Sequence, residues 1–139
     1  MMFLLSASNS FGQIDTNLVY EKADNIIRLI ENNKIDSLLI SSTDSIRCLP
    51  CNEVGLKQYI NSKIFFTQRL QEIFTPNLIA RLKNAEKLIV EESEPYPSYV
   101  VFYKIFGRDE IAFGHEGATF GIWLRSNEKL KFTAIETIP

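Results

Sequence analysis

The chain of 139 residues has little of most things that announce a function. It carries a single His, a single Trp and only two Cys. Two thiols supply half a zinc shell and the lone His lies far from them in sequence, so no metal site is expected. Its six glycines are scattered and form no phosphate-cradling loop, so no nucleotide or other cofactor is expected. Charge of one sign is also lacking: 15 Lys and Arg stand against 17 Asp and Glu. Nucleic-acid binding needs a clustered basic field, and none is present. No apolar run approaches the roughly 18 residues of a membrane span. There is no internal repeat, low-complexity tract or Pro/Gly-rich linker.

What is present fits one ordinary domain. The length suits a single core, and 45% hydrophobic residues is close to the globular average. The start, Met1-Met2-Phe3-Leu4-Leu5 followed by Ser6-Ala7-Ser8, reads as the back half of a secretory signal. An apolar N-terminus packed on the domain is the other reading. Residues 1–15 are therefore set apart from a single domain over 16–139, and an extracytoplasmic location, periplasmic or secreted, is expected.

Apolar spacing predicts a helix from Thr16 to Asn33, with Val19, Ala23, Ile26, Ile27 and Ile30 on one stripe and Asp15 or Thr16 as cap. Ile35, Leu38 and Leu39 fit a short helix, with a short strand over Ser37–Ser41 as the other reading, and a polar turn over Ser41–Asp44 follows. A long helix is expected from Asn52 to Phe74. Thr75-Pro76 then opens a further short helix, Pro76 at its first position. Beyond Ala85 the period falls to two. Strands are expected at Lys87–Glu92, Ser98–Phe106, Glu110–Phe113, Ala118–Arg125 and Lys129–Ile138, with Ser126-Asn127-Glu128 as a hairpin turn and Gly107 taking positive φ in another. Leu130, Phe132 and Ala134 should share one face of the last strand, with Glu136 continuing it.

Helices first and strands afterwards give an α+β order, with N-terminal helices on a curved C-terminal antiparallel sheet. The helix ending Asn32-Asn33-Lys34-Ile35-Asp36-Ser37-Leu38, the long helix, the segment Gly114 to Leu124 and the ending Phe132 to Pro139 resemble the NTF2-like superfamily in their order. That resemblance implies a cone-shaped pocket between sheet and helices. Tyr99, Phe102, Tyr103, Phe113, Trp123 and Glu136 are candidates to line it, and simple core or cross-strand packing is their alternative role.

Cys48-Leu49-Pro50-Cys51 is the strongest chemical feature. A structural disulfide is one reading. A redox dithiol is another, with Cys48 as nucleophile and Cys51 as resolving thiol, because a helix N-terminus favours a thiolate. Against it, the segment before Cys48 looks too short and polar for a central strand, Arg47 stands where redox motifs often carry an aromatic, and the chain ends in strand patterning rather than a helix. His115, between Gly114 and Gly117, and Glu136 are candidate bases for a hydrolase or isomerase of the same superfamily, against a turn or edge role for the first and a solvent-facing strand end for the second. The leading expectation is a non-enzymatic module that binds a small apolar molecule or a protein partner, with a homodimer through the sheet among the assemblies the pattern allows.

Overall fold

A computed structural model describes residues 15–51 and 59–138. It has the expected α+β class. Helix α1, Thr16–Glu31, starts at Asp15, whose side chain accepts a 2.9 Å hydrogen bond from the Asn17 amide. It stops where Asn33 takes a left-handed conformation (φ 53°) and the Lys34 amide reaches back to the Leu29 carbonyl. The stripe Val19, Ala23, Ile26, Ile27 and Ile30 is buried as its spacing requires. Helix α2, Ile35–Ile40, buries only Leu38.

The next segment departs from expectation. Ser42–Cys48 is not a turn but a strand, β1, and the short strand β2, Tyr59–Asn61, pairs antiparallel with it. The expected long helix is cut accordingly. Residues 52–58 lie outside the described residues, Tyr59–Asn61 is strand, and helix α3 covers only 62–73. Asn61 caps it, accepting from the Lys63 and Ile64 amides. Within α3, Phe65–Arg69 forms a wider π-helical turn. There two consecutive residues, Phe65 and Phe66, are both buried, with ring centroids 5.3 Å apart. Helix α4, Pro76–Asn84, has the expected start: Thr75 caps it through the Leu78 amide and Pro76 occupies the first turn.

Strands β3 (Lys87–Glu92), β4 (Ser98–Phe106), β5 (Ala118–Arg125) and β6 (Lys131–Ile138) form an antiparallel meander. The six-stranded sheet runs β2-β1-β6-β5-β4-β3 and is open at both edges. It is mixed, not purely antiparallel, because β1 lies parallel to β6. It is not purely C-terminal either, because β1 and β2 come from the first half of the chain.

Four local corrections have physical causes. Glu110–Phe113 is a looped turn rather than a strand. The Asp109 amide donates to the His115 carbonyl at 2.7 Å and the Gly114 amide to the Asp109 side chain at 2.6 Å, so the segment bonds to itself. The left-handed residue of that turn is Asp109 (φ 65°), not Gly107. Lys129 and Leu130, at φ 56° and 59°, belong to the β5–β6 turn, so β6 begins at Lys131. Finally, Trp123 pairs with Ala134 but Leu124 with Phe132, which leaves Thr133 as an extra residue. That bulge flips the alternation. Phe132 and Ile135 enter the main core, while Ala134 joins Trp123 on the opposite face.

The main core lies between the helices and one face of the sheet. Phe65, Phe66, Phe74, Phe120 and Phe132 fill it together with Ile46, Cys48, Tyr103 and Ile122.

Candidate functional site

The residues singled out in the sequence fall in separate places. Tyr103 is completely buried in the main core, where its hydroxyl donates to Asp24 Oδ1 at 2.9 Å. Burial, and then the Asp24 carboxylate, push its phenol well above the ordinary tyrosine range. Tyr99 is on the same side of β4, half-buried beside Glu91, and its phenol is also raised, by burial first and by that carboxylate second. Phe113 sits at the tip of the 107–117 loop and is 99% exposed. Phe102, Trp123 and Glu136 are on the other face of the sheet; Gly121 pairs with both Phe102 and Glu136. Glu136 is thus carried away from the face of Phe132 by the Thr133 bulge. The six do not converge on one pocket, and aromatic side chains fill the space between helices and sheet.

His115 and Glu136 are likewise on different elements. His115 closes its own turn, its Nδ1 accepting from the Gly117 amide at 2.9 Å. Among the described residues no cluster of three or more His, Cys, Asp or Glu has metal-binding spacing.

Cys48 and Cys51 are joined in a disulfide. Cys48 ends β1 with no exposed surface, while Cys51 is half-buried after a 3-10 turn, Leu49–Cys51. The strand running into Cys48 is flanked by β2 and β6, so it is a central strand despite its polar sequence. That meets one requirement of a redox fold. The last described element, β6, is a strand, which does not meet the other.

The arrangement with the most chemistry on display is on the sheet face opposite the helices. The pairing registers run one row across all six strands: Tyr59, Arg47, Ala134, Trp123, Val100 and Val90. Val100, Trp123 and Ala134, with Phe102 against them, make a second apolar cluster that contains no helical residue among those described. Phe102 lies over Gly121, where a Cβ would stand 2.9 Å from the Phe102 ring. The absent side chain is what lets the ring approach the strand so closely.

At one end of this row the cover is polar. The Arg47 guanidinium sits 4.7 Å from the centre of the Trp123 ring. That of Arg125 sits 4.0 Å from the centre of the Tyr96 ring. Arg125 is oriented by two further bonds, Nη1 to Glu128 at 2.8 Å and Nη2 to Thr133 Oγ1 at 2.9 Å. Trp123 is 94% buried, as 6% of its surface remains exposed. Its Nε1, like Nε of Arg125, is buried with no acceptor among the described residues. A recess of about 10 Å³ opens here, rimmed by Tyr59, Pro95 and Tyr96. Buried donors without acceptors are uncommon, because each carries a desolvation cost of about 1–3 kcal/mol.

Sequence reasoning placed Trp123 on the face away from Phe120 and Ile122, but did not assemble its neighbours. Arg125, two residues on in the same strand, was the available signal. Arg47 and Tyr59 reach the site through strands that local pattern does not reveal. Comparison of the chain with protein-family models, with curated proteins and with solved structures finds no match in any of the three.

Proposed function

We propose that this chain is an extracytoplasmic binding module without catalytic chemistry of its own, which takes its ligand around Trp123, on the face of the sheet opposite the described helices. The observation that carries the reading is that two of the three buried donors with no acceptor among the described residues, Trp123 Nε1 and Arg125 Nε, belong to residues of one recess with an aromatic rim; the third, Arg81 Nε, lies elsewhere. A fold that leaves such groups bare gains when a ligand supplies the missing acceptors. The half-exposed rings of Tyr59 and Tyr96 offer apolar surface for the rest of that ligand, a small molecule or a segment of a protein partner. The disulfide supports a location outside the reducing cytoplasm. Membership of the NTF2-like superfamily is part of the same proposal, supported by helices packed on one side of an open sheet.

The test is a fragment screen followed by backbone amide shifts on labelled protein, using acidic, neutral and basic members. Shifts should concentrate on Tyr59, Arg47, Ala134, Trp123 and Val100. Hits confined to the helical side of the molecule would overturn the reading.

A second reading, thiol–disulfide exchange at Cys48 and Cys51, is favoured by one observation, the central strand that runs into Cys48. Full burial of Cys48 argues for a structural bond, since a reactive thiol must be reached by its substrate. Equilibration in glutathione buffers decides it. A potential below about −300 mV fits a structural disulfide, and one between about −270 and −120 mV restores the oxidoreductase.

A further inference from the structure

The chemistry of the recess around Trp123 narrows what it accepts. All three groups that define it are donors. Trp123 Nε1 and Arg125 Nε are buried without acceptors, and Arg47 has the Trp123 ring but no hydrogen bond or ion pair among the described residues. Thr133 Oγ1 already receives Arg125 Nη2 at 2.9 Å and contacts Thr43 Oγ1 at 3.0 Å. The Ser98 hydroxyl is turned to the Tyr96 carbonyl at 3.0 Å. Glu128 balances the charge of Arg125; nothing described balances that of Arg47.

A recess of about 10 Å³ has room for a single oxygen-sized group. A water there would have to place two protons in a lining that Arg47, Trp123 and Arg125 make rich in donors. A carboxylate oxygen only accepts, and its negative charge answers the unpaired guanidinium. Both guanidinium groups already rest over aromatic rings, so less side-chain freedom is lost on binding. Resting on the binding reading given above, we propose that Arg47, Trp123 and Arg125 form a carboxylate-binding site. One oxygen of a ligand's terminal carboxylate enters the recess, the other faces Arg47 at its mouth, and the adjoining apolar part lies on Tyr59 and Tyr96, which are 37% and 47% exposed. A free organic acid and a peptide C-terminus both carry this group.

The chain's single tryptophan is at the centre of the site, so its fluorescence reports on the site alone. Emission is followed while 3-phenylpropionate, its amide, acetyl-Ala-Phe with a free carboxylate, and the corresponding peptide amide are titrated separately. The acids should give saturable shifts, with the amides weaker by about tenfold or more. Tighter binding of the peptide acid than of phenylpropionate identifies a chain terminus as the ligand, and the reverse order a free acid. Arg47→Gln should weaken the acids by about tenfold and Arg47→Lys by less. Arg47→Gln also loses the contact with the Trp123 ring, whereas Arg47→Lys keeps a cation there, so the urea midpoint of each variant is measured and binding is compared only where both are fully folded. Should Arg47→Gln fail to fold, the same loss is read on wild-type protein as weaker acid binding with rising salt. Equal binding of acids and amides, or of acids to wild type and Arg47→Gln, overturns the carboxylate site. It leaves the module standing where neutral fragments still shift the Trp123 row. No response at Trp123 to any probe, with fragments bound elsewhere, removes both.

Discussion

Replacing Tyr103 by phenylalanine deletes one oxygen at the edge of the core and should change both stability and its dependence on pH. Tyr103 has no exposed surface, and its hydroxyl donates to Asp24, whose other oxygen takes Lys87 at 2.8 Å. Hydrogen bonds to charged groups contribute about 1.5–3 kcal/mol. Asp24 is 39% exposed and keeps Lys87 and solvent, so no buried charge is orphaned and the lower figure applies. Tyr103→Phe should therefore lose about 1.5 kcal/mol at pH 8, read as a lower urea midpoint at unchanged slope, or a drop of about 5 °C in Tm. The folded phenol is raised by burial and by Asp24, so the native state keeps a proton that the unfolded chain releases above about pH 10. The contribution of this group is complete below that pH and is lost as pH rises towards the folded value. Wild-type stability should then fall by about 1.4 kcal/mol per unit more steeply than that of the variant, and the two should converge near pH 11. Other groups titrating in this range are present in both proteins and cancel in the difference. Parallel stability curves between pH 8 and 11, or a variant as stable as wild type at pH 8, would refute the reasoning.

Phe132→Ala, at a ring with no exposure and centroids 6.5 and 6.1 Å from Phe65 and Phe66, should cost about 3–5 kcal/mol in urea unfolding. Reducing the disulfide opens a ring of only four residues, so the loss should stay near 2 kcal/mol; a fall of 4 kcal/mol or more in dithiothreitol would contradict this. Gly117→Ala would put a Cβ 2.2 Å from the Phe106 carbonyl oxygen at φ +113°, whereas Gly114→Ala at φ +84° meets nothing within 4 Å. The first should therefore be the more damaging by thermal melting, and equal effects would show that conformation alone matters at both. In the same loop Glu110 is held below the ordinary glutamate range, first by the Gly107 amide and then by Arg81. Its contribution is complete above that ordinary range and is lost as pH falls through the lower folded value. Amide exchange at Gly107 should lose protection over that acid window and lose it at neutral pH in Glu110→Gln.

Local sequence was sufficient wherever one chain segment decides its own structure. The stripe Val19 to Ile30 repeats every 3.6 residues and Asp15 can cap it, so α1 follows without knowledge of any other element. Thr75-Pro76 starts α4 for the same reason. The alternation Ala118, Phe120, Ile122, Leu124 sets a strand and its buried face, and it placed Trp123 on the opposite side. The two cysteines, four residues apart inclusive, could be recognised as a bonded pair, though their chemistry could not be chosen. Contacts between distant segments decided the rest. Ser42–Cys48 is too polar to read as a strand, and it is one because β6 offers it a parallel partner some 90 residues away, with Thr43 and Thr133 meeting at 3.0 Å. The bulge at Thr133 reverses which side chains of β6 enter the core, and a one-residue shift of that kind leaves no trace in the hydrophobic pattern. Glu110–Phe113 has the composition of a strand but no neighbouring strand to pair with among the described residues, and hydrogen bonds within the loop take over its backbone. The candidate site is the clearest case. Arg47, Trp123 and Arg125 are spread over some 80 residues, and only the register of β1, β6 and β5 brings two guanidinium groups to one indole.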